Sequence, residues 1–330
     1  MKTFITGASG FIGTRLAEKL AEEGHDITLL IRDNKKARGL AHGNFRIVNG
    51  DIFDNEKIIP AMEGCDWVFH LAAYAKPFSA DKDLPYRTNT EGTKNILSLA
   101  SSSAVKAVVV TSSAGTVGFS RDGLPVTEET NRNIDYHTEY ERTKFLAEQA
   151  AFSASTEKMK VVVVNPSRVF GPGRLTKSNS LTRIIKLYGA GRWRIIPGDG
   201  TAIGNYAFVD DVVNGHILAA KFGKGANRYI LGGENLSFDE FFNCLAKVYG
   251  QKRTMLKISS GNLRRINRVS AMFLAVAGRP PIITDSWIEK YLENWSLSCN
   301  KAVENLNYSI TPFNEALEKT VKWLRSEKSF

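Results

Sequence analysis

The 330-residue chain is 43% hydrophobic and 24% charged, which is ordinary for a globular protein with a full core, and no run of about eighteen apolar residues is present that could cross a membrane. The net charge of +10 is unevenly spread: residues 1–150 carry 18 basic and 20 acidic side chains, whereas residues 151–330 carry 26 and 14. Cys65, Cys244 and Cys299 are far apart and odd in number, so neither a disulfide framework nor a metal spacing is expected, and a reducing cytoplasm suits them.

In chain order, the first apolar stretch, Thr3–Ile5, runs straight into a glycine turn, which leaves no room for a signal peptide. Thr3–Thr6, Asp26–Arg32, Phe45–Asn49, Trp67–Leu71, Ala107–Thr111 and Val161–Asn165 each read as buried strands rich in β-branched residues. Between them Arg15–Glu22, Thr90–Ser101 and Glu141–Ala151 have amphipathic helical spacing. Such alternation predicts a doubly wound parallel sheet with helices on both faces and ligand beyond the carboxyl ends of its strands. After Asn165 the rhythm breaks at Pro166 and at Gly171-Pro172-Gly173, and then Val209–Ala220 reads as a helix and Tyr229–Leu231 as a strand. The expected organisation is a dinucleotide domain of residues 1–170 plus 206–233 and a smaller, discontinuous α+β substrate lobe of 171–205 plus 234–330.

Gly7, Gly10 and Gly13, three apart behind the first strand, predict a pyrophosphate cradle: a tight turn, a close backbone approach, and close packing of the helix that follows, here begun by Phe11 and Ile12. At the end of the second strand, Arg32, with Lys35, Lys36 and Arg38 behind it, favours the 2′-phosphate of NADP, while Asp33 keeps NAD open. Asp51, followed by Ile52, is placed either to accept from the adenine amino group or to cap the helix starting near Asn55. Tyr140 and Lys144, four apart, share one helix face, and the ammonium is expected to lower the phenol pKa towards working pH. Ser113, at the end of the fifth strand, would bond the same substrate oxygen, and Ser112 is the alternative serine.

Thr6–Gly13, His70-Leu71-Ala72-Ala73, Thr111–Gly118, Tyr140 with Lys144, and Asn165-Pro166 resemble the extended short-chain dehydrogenase/reductase superfamily over nearly the whole chain. The Thr-Ser-Ser-Ala-Gly-Thr-Val run resembles its dihydroflavonol-4-reductase branch, and Tyr229–Asn235 with Trp295–Tyr308 looks like bacterial reductase-like and hopanoid-associated epimerase-like members. The resemblance implies a Rossmann domain and catalytic roles for Ser113, Tyr140 and Lys144. It further implies a nicotinamide end lined by Leu71, Ala72, Ala73, Pro166 and Val169, support from Asn89, and a dimer through helices around 90–103 and 140–153. Sugar-nucleotide epimerases of the superfamily commonly carry an arginine where this chain has Gly204, so an NADP-linked alcohol/ketone oxidoreductase of hydrophobic molecules is favoured over an epimerase, and Arg168, Arg174, Arg183 or Arg192 could compensate. A cofactor-binding scaffold without chemistry stays open as a third reading.

His70 reads as a structural histidine, Asp210-Asp211 as helix-terminal charges rather than a metal pair, and Trp193, Tyr206 and Phe208 as either lobe packing or a substrate wall. Ile266–Ala277, flanked by Arg264, Arg265 and Arg268, reads as a lobe helix packed on the core, with peripheral membrane contact through 262–279 as the alternative. The seven basic and no acidic residues of 252–284 read as a solvated face, and neither a metal nor nucleic acid is expected.

Overall fold

The computed structural model describes all residues except 34–39, 41–44, 77, 131, 133–134, 177–178, 277–283 and 327–330. Lys35, Lys36 and Arg38 therefore lie outside the described residues. The first part of the chain is β1 (Lys2–Thr6), α1 (Phe11–Glu22), β2 (Asp26–Ile31), β3 (Phe45–Asn49), α2 (Asn55–Met62), β4 (Trp67–His70), α3 (Gly92–Ser102), β5 (Ala107–Thr111), α4 (Glu139–Ala154) and β6 (Lys160–Pro166). Then come β7 (Arg168–Phe170), α5 (Ser180–Gly189), β8 (Ile195–Pro197), β9 (Ile203–Phe208), α6 (Val209–Phe222) and β10 (Asn227–Leu231). The chain closes with β11 (Glu234–Ser237), α7 (Phe238–Tyr249), β12 (Leu256–Ile258), α8 (Ser260–Val276), α9 (Asp285–Leu292), α10 (Asn300–Leu306) and α11 (Phe313–Ser326).

Seven parallel strands in the order β10-β6-β5-β4-β1-β2-β3 form the main sheet. Val108–Val110 and Val161–Val164 are fully buried, as β-branched strands covered on both faces require. Order reverses between β1 and β4, which leaves the crevice at the carboxyl ends of those strands as the natural ligand position.

A three-stranded sheet, β11-β9-β7, and a two-stranded β12-β8 pair build the smaller region. Phe170, Tyr188, Tyr206, Phe208, Phe241, Leu317 and Leu324 make its core, so Tyr206 and Phe208 pack internally. Leu297, Cys299, Ala302, Leu306 and Tyr308, late in the chain, instead join the core of the main sheet.

α8 departs from the expected lobe helix. Ile266, Val269, Met272 and Phe273 are exposed, whereas Arg264 and Arg268 turn towards Glu289 (3.3 Å) and Asp285 (3.7 Å) of α9. Four of its apolar side chains thus stand in solvent, while Arg264, Asn267 and Arg268 reach carboxylates of the neighbouring helix.

Candidate active site

Gly7 has φ +74°, and a Cβ there would meet the backbone of Leu71 and Ala72 at 2.5 Å, so only glycine lets the first turn lie against the loop after β4. A Cβ on Gly13 would strike the carbonyl oxygen of Gly7, which explains the tight seat of α1 against the turn. Gly10 caps α1 without a side-chain bond, and the first helical turn holds no acid. These residues fit a dinucleotide pyrophosphate, which would take the free N–H groups and the positive helix end. Phe11 is buried in the core, and Ile12 packs against it. Leu71 donates its N–H to Thr6 O (3.1 Å) and Ala72 donates to Thr6 Oγ1 (3.3 Å), which holds the loop Leu71–Ala73 beside the turn.

Arg32 is well exposed, with its guanidinium 3.5 Å from Asp51. The helix-cap reading of Asp51 fails: Asp54 holds the cap position of α2, and its Oδ2 accepts the Asp51 N–H (2.9 Å). Ile52 is buried, and its carbonyl accepts from Asn95 Nδ2 (2.8 Å).

Thr138 and Glu141 form a reciprocal capping box that fixes where α4 starts, and so fixes Tyr140 in its first turn with Lys144 one turn on. Tyr140 lines a cavity of about 420 Å³ together with Tyr74, Lys76, Lys82, Thr138 and Trp287. The Ser113 side chain acts on the Tyr140 hydroxyl in the direction of the phenolate. Ser113 Oγ accepts the Gly115 N–H (3.2 Å), which leaves its own proton free to donate. Ser112 is buried, and among the described residues its hydroxyl has no hydrogen-bond partner; of the two serines it is Ser113 that acts on the phenol.

The electrostatics correct one expectation. Burial, aided by the charge of Glu141, pushes the Tyr140 phenol up to about 12. Lys144, almost fully enclosed, is itself pushed down to about 8 by burial, against the upward pull of Glu148. Burial therefore outweighs any acidifying effect of the ammonium on the phenol. His70 is buried between Thr6 Oγ1 (2.7 Å) and Thr93 Oγ1 (3.0 Å), and burial together with the Lys144 charge pushes it down to about 3, so it stays neutral. Asn89 accepts the Tyr74 N–H (2.7 Å) and donates to Tyr74 O (3.2 Å) and Thr143 Oγ1 (3.0 Å), tying the cavity loop to α4.

Sequence reading missed a buried ionic frame. Glu148 accepts from Thr116 Oγ1 (2.6 Å) and Asn165 Nδ2 (2.7 Å), with Arg228 at 3.4 Å. Asn165 also donates to Ser113 O (3.1 Å). Glu141 pairs with Lys290 (2.8 Å) and Arg132 (3.8 Å), and Arg132 also donates to Gly115 O. The capping-box spacing Thr138-x-x-Glu141 was a readable signal; the partners, far off in sequence, were not. Pro166 ends β6, and Val169 of β7 packs against the core. Asp210 pairs with Arg15 (2.9 Å) and Asp211 accepts from Thr311 (2.7 Å), so both carboxylates have structural partners.

A profile of the NAD dependent epimerase/dehydratase family matches residues 3–232. A Synechocystis protein named dihydroflavonol 4-reductase is 29% identical over 328 residues, covering 98% of this chain and 94% of that one. The mouse sterol-4-alpha-carboxylate 3-dehydrogenase, decarboxylating, is 31% identical over 225 residues, covering 67% of this chain and 59% of that one. The solved structure of MoeE5 in complex with UDP-glucose and NAD superposes with a TM-score of 0.79 over the full length of both chains; at 23% identity that likeness speaks for the fold.

Proposed function

Because the chain belongs to the NAD-dependent epimerase/dehydratase family, within the extended short-chain dehydrogenase/reductase superfamily, and is an enzyme acting on CH–OH groups, we propose that it interconverts a secondary alcohol and a ketone on a hydrophobic small molecule with Tyr140 as acid/base. One observation carries this reading: Tyr140 lines a cavity, the Ser113 side chain acts on its hydroxyl, and a buried Lys144 stands one helical turn away.

A nicotinamide dinucleotide would be held by Gly7–Gly13, Arg32, Asp51, Ile52, Leu71–Ala73, Pro166 and Val169, and would supply or accept hydride. In the reducing direction Tyr140 gives its proton to the carbonyl oxygen, which Ser113 holds by donating a hydrogen bond. A phenol near 12 keeps its proton until an oxygen gaining negative charge arrives, which suits an acid. In the oxidising direction the phenol must first be made more acidic, and an oxidised nicotinamide, once bound, would supply a positive charge that favours the phenolate. NADP is favoured by Arg32, whose pair with Asp51 is exposed and so weak enough for a 2′-phosphate to replace.

The sterol dehydrogenase's name places a carboxylate at carbon 4, next to the oxidised carbon 3, and the same relation is proposed for this substrate. A nucleotide-sugar epimerase is the second reading, supported by the match of residues 3–232 to the epimerase/dehydratase family. The test is turnover of a panel of hydroxy acids, alcohols and ketones with NADP and NAD, followed by reduced-cofactor absorbance. Tyr140→Phe is expected to lower the rate by about 10²–10⁴-fold. Undiminished turnover in that variant refutes the role of Tyr140, and a product epimer without net cofactor change supports the second reading.

A further inference from the structure

Arg168, on β7, lays its guanidinium over Gly204 of β9, in the space that any side chain at 204 would fill. The rings of Tyr206 (5.8 Å), Phe238 (5.4 Å) and Tyr291 (5.6 Å) surround it. Other partly buried arginines nearby have carboxylates: Arg132 has Glu141 at 3.8 Å, and Arg228 has Glu148 at 3.4 Å. Among the described residues none lies within 4.0 Å of Arg168. Its polar neighbour is the buried Tyr206 hydroxyl, which has no other hydrogen-bond partner among the described residues. Aromatic faces compensate a guanidinium only in part, so this half-buried cation is poised for an oxyanion.

The guanidinium is joined to the Tyr140 cavity by α9. Trp287 lines that cavity, stands 6.1 Å from Tyr291, and lies 5.0 Å under the Lys290 ammonium. Lys290 spends its charge on Glu141, the residue after Tyr140, and still feels the repulsion of Arg168 and Arg132. Lys290 and Arg132 both pair with Glu141 beside the phenol, and Arg168 adds a third positive charge close by, which favours an anionic substrate.

We propose that Arg168 is the anion anchor of this site, and that the alcohol or ketone handled at Tyr140 carries a carboxylate that pairs with its guanidinium. This rests on the oxidoreductase reading for what happens at Tyr140, but not for the anion site itself. A single planar fork set among aromatic rings matches one carboxylate on an apolar body better than a hydrated diphosphate.

The experiment measures binding by calorimetry in the presence of NADP, with 3-hydroxydecanoate, its methyl ester and UDP-glucose as probes, for the unaltered protein, Arg168→Gln and Arg168→Lys. The acid is expected to bind at least tenfold more tightly than the ester. Arg168→Gln should erase that preference while leaving affinity for NADP and the ester intact, and Arg168→Lys should keep part of it. Equal binding of acid and ester, no binding of the acid, or a preference that survives Arg168→Gln overturns the inference. Arg168-dependent binding of UDP-glucose in place of the acid overturns the carboxylate assignment. Arg168-dependent acid binding without any cofactor reduction upholds the anion site and counts against the oxidoreductase reading alone.

Discussion

Replacing Glu148 with glutamine isolates the charge that keeps Lys144 ionised. Glu148 is fully buried one turn beyond Lys144, and its charge opposes the burial that holds the lysine at about 8. Two unit charges at this helical spacing, about 6 Å, interact by about 3 kcal/mol at an effective dielectric constant near 20. Even half of that makes the proton about tenfold easier to lose. Lys144 is then mostly charged at pH 7 in the native protein and about half neutral in Glu148→Gln. Glutamine can still accept from Asn165 and Thr116, while Arg228 loses its carboxylate, so a stability loss of about 1–3 kcal/mol is expected. The assay is the pH dependence of ketone reduction at saturating reduced cofactor. Its alkaline limb should move about one pH unit lower in the variant, with stability followed separately by urea unfolding. An unmoved limb in a folded variant would refute the coupling of Glu148 to Lys144.

Acid should weaken the fold through His70 and His216, which burial holds neutral down to about 3 and about 4. Unfolded histidines take up protons near 6.5, so stability present above that pH is lost as pH falls from 6.5 towards those values, by roughly 2–3 kcal/mol per histidine at pH 4.5. Urea unfolding at pH 7 and 4.5 checks this, and a His70→Asn variant should lose its share of the dependence. Gly7→Ala should cost at least about 2 kcal/mol, since it imposes a left-handed residue and a Cβ against the backbone of Leu71 and Ala72. Dinucleotide binding should fall with it; native-like melting and cofactor affinity in the variant would contradict the cradle argument.

The main sheet was legible because a strand buried on both faces leaves an unbroken β-branched run, as in Val161–Val164, and because glycine triplets announce the turn they permit. Tyr140 and Lys144 were legible because four residues is one helical turn. The ionisation of that pair was not, since burial is a property of the assembled fold and here reverses the expected direction for the phenol. Likewise Gly204 could be read as a missing guanidinium, but that Arg168 lies over it follows from the register of β7 against β9. The apolar stripe of α8 had the right period for a core helix, and periodicity does not say which side of a helix meets protein.

A tyrosine difference titration near 295 nm, comparing the protein with Tyr140→Phe in the presence and absence of oxidised NADP, goes to the centre of the account. Without cofactor the signal belonging to Tyr140 should appear only near pH 12, and with oxidised cofactor it should move to distinctly lower pH. A Tyr140 signal that ionises at the same pH in both states would contradict the assignment of this phenol as the proton carrier.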